Sequence, residues 1–171
     1  NLEDISAPRC FEIEERLKAM LDIPVFHDDQ HGTAIVVLAG IINGLRVTGK
    51  KKEDCKVVVN GAGSAGVAIT KLLLTYGFKH VTMCDREGII GKDYPNLNWM
   101  QKKMTEVTNL ENASGTLADA LKGADIFVGV SAPNIVTPEM VASMNKDSIL
   151  FAMANPVPEI MPAVAKAAGA R

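Results

Sequence analysis

The chain has 171 residues, and its 18 Lys and Arg against 20 Asp and Glu give a formal net charge of −2, which argues against a nucleic-acid binder that neutralises phosphates. Its length suits one domain, or one domain with an appendage, and a hydrophobic content of 47% excludes a disordered chain. Its three widely spaced cysteines form neither a disulfide framework nor a paired metal motif, which indicates a reducing, cytoplasmic setting.

The first predicted element is an amphipathic helix that begins after residues 6–8, where a serine and an early proline are typical of a helix start. Its apolar side chains recur at helical spacing and are Ile13, Leu17, Met20 and Leu21. Since an amphipathic helix turns its apolar face towards the core, these residues predict the side on which the helix packs.

Residues 33–47 are apolar on almost every side, and their number predicts a second, buried helix, although their β-branched side chains favour a strand. It follows an extended stretch at 24–26 and an extended or turn segment at 27–33. The longest apolar run, 34–42, is too short to span about 30 Å of hydrocarbon, and no signal-peptide pattern is present, so neither a membrane nor a targeting role is expected. Three lysines at 50–52 predict a solvated corner.

Strands and helices alternate from residue 56 onwards. Strands are predicted at 57–59, 80–84, 125–130 and 149–154, and helices at 67–76, 97–107, 116–121 and from Thr137. Strands separated by helices pair in parallel through right-handed crossovers. The predicted fold is therefore a doubly wound parallel α/β sheet of the Rossmann type with helices on both faces. We expect residues 1–48 to form an N-terminal segment and residues 49–171 to form the dinucleotide-binding domain.

A glycine-rich segment with Gly61, Gly63 and Gly66 follows the first predicted strand and opens a helix. Asp85 ends the second predicted strand about 20 residues further on, as a dinucleotide fingerprint requires. Gly61 permits a tight turn, Gly63 lets backbone N–H groups approach a pyrophosphate, and Gly66 allows close packing of the helix. The pattern predicts an NAD or NADP site, and a purely structural glycine turn is the alternative.

The residues around the other strand ends bear on the kind of cofactor and on its orientation. Asp85 favours the 2′-hydroxyl of NAD, whereas Arg86 beside it could pair with the 2′-phosphate of NADP, so the pair favours NAD only slightly. Ser131 and Asn155 follow the third and fourth predicted strands, where ligands bind in open α/β sheets. Asn155 is the polar group best placed to orient the nicotinamide or the substrate, and a turn role before the prolines is the alternative.

Two of the acidic pairs within the first thirty residues, Glu3-Asp4 and Asp28-Asp29, contribute four carboxylates. If these groups converge, they repel one another unless a hard cation lies between them, and oxygen ligands suit Mg²⁺ or Mn²⁺. Ordinary surface acids would explain either pair by itself. His27 and His31 are four residues apart, but Pro24 and Gly32 flank a stretch too short for a helix, which argues against zinc.

Six segments together resemble malic enzymes of the shorter bacterial type. They are NLEDISAP (1–8), FHDDQHGTA (26–34), the glycine-rich loop, CDR (84–86), GVSAPN (129–134) and ANP (154–156). The resemblance covers the whole chain and implies oxidation and decarboxylation of malate to pyruvate and CO₂, with NAD or NADP and with Mg²⁺ or Mn²⁺. It also implies a small-molecule substrate and a homo-oligomer in the full enzyme.

The same resemblance implies roles for individual residues. Glu3, Asp4 and Asp29 match the metal ligands of this family, and Asp28 matches the carboxylate beside its catalytic lysine. The pyrophosphate loop would comprise Ala62, Gly63, Ser64 and Ala65, and Asn155 would contact the nicotinamide.

The chain also departs from the family pattern. A tyrosine general acid and a lysine general base precede the Glu-Asp pair in this family and would lie before residue 1, and neither Tyr76, Tyr94 nor any lysine here stands in a matching motif. The chain also lacks an initial methionine, so we expect it to be the central nucleotide-binding part of a longer enzyme and to be inactive alone. The alternatives are a malolactic enzyme, an amino-acid-type dehydrogenase, and a non-catalytic nucleotide-binding or dimerisation module.

Overall fold

The computed structural model describes residues 1–171 as an alternation of helices and strands. In chain order the elements are α1 (Arg9–Met20), α2 (Asp28–Thr48), β1 (Lys56–Asn60), α3 (Ser64–Tyr76), β2 (His80–Asp85), β3 (Gly88–Ile89), α4 (Trp99–Met104), α5 (Leu117–Leu121), β4 (Ile126–Gly129), α6 (Pro138–Ala142), β5 (Ile149–Ala152) and α7 (Pro162–Ala167). Local signals set several boundaries. The Met140 N–H donates to the Thr137 hydroxyl at the start of α6, and Gly77 ends α3 with a φ of 109°.

The strands form one sheet in the order β3-β2-β1-β4-β5. All pairs among β2, β1, β4 and β5 are parallel, with Val58 opposite Thr82 on one side and Phe127 on the other. The predicted doubly wound parallel sheet is thus confirmed. The prediction missed β3, which pairs antiparallel with the end of β2 and is too short to produce a hydrophobic pattern.

Helices cover both faces of this sheet, as predicted. One hydrophobic cluster joins Val57 and Val59 of β1 to α2 and α3, and a second joins Val58 to α5, α6 and α7. Successive side chains of a strand point to opposite faces, so β1 is buried on both sides. A third cluster joins Phe11 of α1 to Met100 of α4 at the β2 side of the sheet.

The first helix forms where it was predicted, but it buries a different face. Cys10, Phe11 and Glu14 are its buried residues, whereas Ile13 is 37% exposed and Met20 is 73% exposed. Phe11 belongs to the cluster shared with α4. The orientation of α1 is therefore decided by a long-range contact that helical spacing does not contain.

The second helix begins at Asp28 rather than at residue 33, so the segment predicted as extended or turned is largely helical. Asp28 and Asp29 occupy its first turn, where negative charge is favoured. The predicted all-round burial is wrong, because Ile35 and Val36 are 56% and 71% exposed. The buried stripe consists of Gln30, Ala34, Val37, Ile41 and Leu45. By length and composition alone α2 could cross a membrane, but core helices of soluble proteins are often as long and as apolar.

The lysines that follow α2 are only partly a solvated corner. Lys50 Nζ donates to Asp125 Oδ1 at 2.7 Å, and Lys52 Nζ donates to the Tyr76 carbonyl at 2.7 Å while lying 4.3 Å from the centre of that ring. These contacts link the turn before β1 to the start of β4 and to the end of α3. Only Lys51 is exposed without such a contact.

Candidate functional site

The order of the strands reverses between β1 and β4, and the carboxyl ends of these two strands flank that point. The chain leaves β1 towards α3 on one face and leaves β4 towards the helices on the other face. Open α/β sheets bind ligands in the crevice outside this point. Because β2, β1, β4 and β5 are parallel, the glycine-rich loop, Asp85, Ser131 and Asn155 all lie along this one edge.

The three glycines of the loop meet three different requirements. Gly61 has a φ of 107°, and a Cβ there would lie 2.5 Å from the Val130 carbonyl oxygen. A Cβ on Gly66 would overlap the Gly61 carbonyl oxygen. Gly63 has an ordinary φ of −86°, and no atom lies within 4 Å of the position of its Cβ. The fold therefore requires glycine at two positions, while Gly63 borders open space that a side chain would fill.

The start of α3 adds unpaired backbone donors beside that space. Ser64 and Ala65 begin the helix, Ala62 is buried beneath the loop, and no side chain caps the first turn. Free N–H groups at the start of a helix, together with its dipole, favour an anion. The geometry of the loop therefore fits the pyrophosphate of a dinucleotide.

Asp85 ends β2 with its carboxylate held in place. Oδ1 accepts a hydrogen bond from the Arg86 N–H at 2.9 Å, and Oδ2 accepts one from Gln101 Nε2 at 3.2 Å. Arg86 is exposed. Sequence reasoning missed Gln101, since nothing in the sequence brings α4 next to β2. Burial raises the pKa of the neighbouring Cys84 thiol to about 12, so this thiol stays neutral.

The loops after β4 and β5 carry Ser131 and Asn155. Ser131 Oγ accepts a hydrogen bond from Asn60 Nδ2 at 2.7 Å, and the Asn155 side chain is exposed at the end of β5. Beneath both loops lies Glu159, a fully buried carboxylate that sequence reasoning missed. A glutamate after a proline-rich turn carries no sequence signal of burial.

The two acidic segments lie side by side. Leu2 pairs in parallel with His27, and the Asp4 N–H donates to Asp29 Oδ2 at 2.8 Å. Asp28 is exposed in the first turn of α2, and its carboxylate occupies the place of a Cβ on Gly32. The structure thus brings Asp4 and Asp29 together although they are distant in sequence.

The fit of this region to a metal ion is incomplete. Its oxygen donors suit a hard cation such as Mg²⁺ or Mn²⁺, but Glu3 Oε1 accepts from Asn1 Nδ2 at 2.7 Å and one Asp29 oxygen accepts from the Asp4 backbone. No group of three His, Cys, Asp or Glu side chains is arranged to hold a metal. Glu3, Asp4 and Asp29 therefore stay predicted ligands.

Other ionisable groups near these segments have structural partners. Burial acts to raise the pKa of Glu14, but hydrogen bonds from Lys18 and His31 outweigh it and hold that pKa below its ordinary value. His31 Nε2 lies 2.6 Å from Glu14 Oε1, so it does not face a zinc site with His27. Burial raises the pKa of Tyr94, whose hydroxyl accepts from the Glu87 N–H at 3.0 Å.

The chain is similar in sequence to proteins of one known family. Residues 30–168 match the family model described as malic enzyme, NAD binding domain. The chain is 56% identical to the NAD-dependent malic enzyme of Geobacillus stearothermophilus, over 97% of this chain and 35% of that enzyme. It is 55% identical to the bifunctional malic/malolactic enzyme of Bacillus subtilis, over 99% of this chain and 42% of that enzyme. Its relatives include both NAD-dependent and NADP-dependent malic enzymes by name.

The fold agrees with these matches. The crystal structure of the NAD-dependent malic enzyme from Thermotoga maritima superposes with a TM-score of 0.96 at 52% identity, covering 99% of this chain and 46% of that one. The chain thus spans less than half the length of these relatives. The sequence match over most of the chain and the shared architecture show that this chain belongs to the malic enzyme family, in its NAD-binding domain.

Proposed function

We propose that this chain is the NAD(P)-binding portion of an enzyme that oxidises and decarboxylates malate to pyruvate and CO₂ with a divalent metal, and that it supplies the cofactor site and metal ligands. The observation that carries this proposal is Gly63. Neither its φ nor its packing requires glycine, and it lies beside the uncapped first turn of α3. A dinucleotide pyrophosphate explains both features.

Three of the groups along this edge would bind different parts of the cofactor. The loop at Gly63 would hold the pyrophosphate, Asp85 would accept from a ribose hydroxyl, and Asn155 would orient the nicotinamide. The bound cofactor would supply the acceptor for the hydride that leaves C2 of malate. Asp28, exposed at the start of α2, would lie beside the group that removes the hydroxyl proton. That group and the acid that protonates C3 would come from the rest of the enzyme, so the isolated chain would bind but not react.

Binding of the cofactor is the direct test. Calorimetric titration of this chain with NAD and with NADP should show saturable binding of at least one of them. Absence of binding by the folded chain would contradict the proposal.

We expect Asp85 and Arg86 to set the preference between the two cofactors, with a slight preference for NAD. Asp85→Ala removes an acceptor for the ribose hydroxyls and a charge that repels a 2′-phosphate, so it should weaken NAD more than NADP. Arg86→Ala should do the reverse. The measurement is the ratio of the two dissociation constants, and Arg9→Ala, an exposed arginine on α1, is the control. An unchanged ratio in both variants would contradict these roles.

Asp29→Asn should weaken binding of Mn²⁺ by about tenfold or more, about 1.4 kcal/mol, because a hard cation favours a charged oxygen ligand. An asparagine keeps an oxygen that can accept from the Asp4 N–H, so the contact seen in the structure survives. Titration of the chain with Mn²⁺ measures the effect, and Asp22→Asn, an exposed carboxylate, is the control. Equal affinity in both variants would make Asp29 a structural residue only.

A malolactic reaction is the second candidate, because a relative with 55% identity is named a bifunctional malic/malolactic enzyme. Both reactions would use the same groups. Product analysis of the complete enzyme separates them, since pyruvate marks the malic reaction and lactate the malolactic one.

We further propose a cytoplasmic location and a homo-oligomer in the complete enzyme. The three cysteines are buried and unpaired, which supports a reducing compartment. The small-molecule partner would be malate or pyruvate.

A further inference from the structure

Glu159 is a fully buried carboxylate that contacts both loops at the β4–β5 side of the crevice. Its Oε1 accepts hydrogen bonds from the Ser131 N–H at 2.9 Å and from the Ser131 hydroxyl at 3.0 Å. Its Oε2 accepts from the Ala154 N–H at 3.0 Å. A single side chain therefore fixes the spacing between the loop after β4 and the loop after β5.

The contact continues to β1 through a buried amide. Asn60, which is 4% exposed, ends β1 and donates from Nδ2 to Ser131 Oγ. Hydrogen bonds thus run from Asn60 through Ser131 and Glu159 to Ala154. They cross beneath the carboxyl ends of β1, β4 and β5, which are adjacent strands.

The end of β4 leaves space for this carboxylate. A Cβ on Gly129 would lie 2.6 and 2.7 Å from the two oxygens of Glu159. Burying a carboxylate is costly unless it is fully hydrogen-bonded, and apolar side chains could fill such a space at lower cost. The arrangement therefore needs an explanation other than packing.

The order of the strands supplies one. β2, with Asp85, lies on one side of the β1 glycine loop, and β4 and β5 lie on the other. A dinucleotide with its pyrophosphate at Gly63 and its adenosine ribose at Asp85 would therefore extend its nicotinamide half towards β4 and β5. The loops that Glu159 holds lie on the nicotinamide side.

We propose that Glu159 is a positioning residue for the nicotinamide half of the cofactor, an inference that rests on the proposed function. Being fully buried, it acts through Ser131 and through the segment of Ala154 and Asn155. This position requires a carboxylate, because all the hydrogen-bond partners of Glu159 are donors. A glutamine of the same size has one oxygen only, so an N–H of Ser131 or Ala154 would face its NH₂ group.

The test compares a whole cofactor with half of one. Glu159→Gln should weaken binding of NADH by about tenfold or more. The variant loses a charge-assisted hydrogen bond, and its NH₂ group faces a backbone N–H that is also a donor. ADP, which lacks the nicotinamide, should bind within about twofold of its original affinity. The fluorescence of bound NADH should shift towards that of the free cofactor. If the chain prefers NADP, NADPH and 2′-phosphorylated ADP replace this pair.

Glu106→Gln, a change at an exposed glutamate after α4, is the matched control and should leave both affinities unchanged. An equal loss of NADH and ADP in Glu159→Gln would show a merely structural role and overturn the proposal, and so would no loss of either. If the unaltered chain binds neither ligand, the proposed function itself fails. A failure of the Glu159 proposal is therefore distinguishable from a failure of the proposed function.

A second variant covers the case in which Glu159→Gln does not fold. Gly129→Ala leaves the carboxylate in the chain and displaces it with a methyl group. It should show the same division, with weaker NADH binding and little change for ADP. An equal loss of both ligands by folded Gly129→Ala would overturn the proposal.

Discussion

Gly63→Val should abolish NAD(P) binding while leaving the fold intact. Its φ of −86° suits any residue, and no atom lies within 4 Å of a Cβ at this position, so the valine meets no protein atom near its Cβ. It instead occupies the space beside the first-turn N–H groups of α3, where backbone must approach the pyrophosphate. We expect affinity to fall by about a hundredfold or more, about 2.7 kcal/mol.

Calorimetry measures this loss, and a thermal melt checks the fold. Ala39→Val adds the same kind of bulk on the exposed side of α2 and should change neither quantity. Gly66→Ala provides the opposite case, since its methyl group would overlap the Gly61 carbonyl and should destabilise the chain. Equal NAD(P) binding by folded Gly63→Val and the unaltered chain would refute the assignment of the loop.

The parts of the fold that could be predicted are those with a local cause. Strand β1 is a short β-branched run buried on both faces, and such a run is typical of a parallel sheet. Gly77 and Thr137 mark helix ends by their own conformational and hydrogen-bonding properties. The glycine spacing after β1 and Asp85 after β2 follow from the same local order.

The parts that could not be predicted depend on residues far apart in the chain. The buried face of α1 is set by its contact with α4, and the pairing of Leu2 with His27 places the first residues of the chain beside the start of α2. Glu159 was missed for the same reason, because its partners are the backbone and hydroxyl of Ser131 and the backbone of Ala154. Hydrophobic periodicity can predict the burial of apolar residues only. Burial of a carboxylate can be recognised only once the ends of the strands that supply its hydrogen-bond donors are placed together.

The isolated chain should not turn over malate, even with NAD(P) and Mn²⁺ saturating. The reaction needs a base for the C2 hydroxyl proton and an acid for C3, and each such group contributes about 10²-fold to 10⁴-fold. Tyr76 ends α3, at the end of that helix away from the glycine loop, and the Tyr94 hydroxyl contacts the Glu87 N–H beside β3. Neither hydroxyl forms a hydrogen bond with a residue in the first turn of α2.

The lysines of this chain do not provide the base either. Lys18 pairs with Glu14 and Lys50 with Asp125, and no lysine forms an ion pair with Asp28. Losing both an acid and a base leaves a rate below ordinary detection, which continuous measurement of NADH or NADPH absorbance checks, with the complete enzyme as the positive control. Asp28 is exposed and, unlike Glu3, Asp4 and Asp29, is not one of the predicted metal ligands, so it is the carboxylate that could replace the base. Cofactor reduction by the purified chain that disappears in Asp28→Asn would therefore show that Asp28 itself removes the proton and that a lysine base is dispensable.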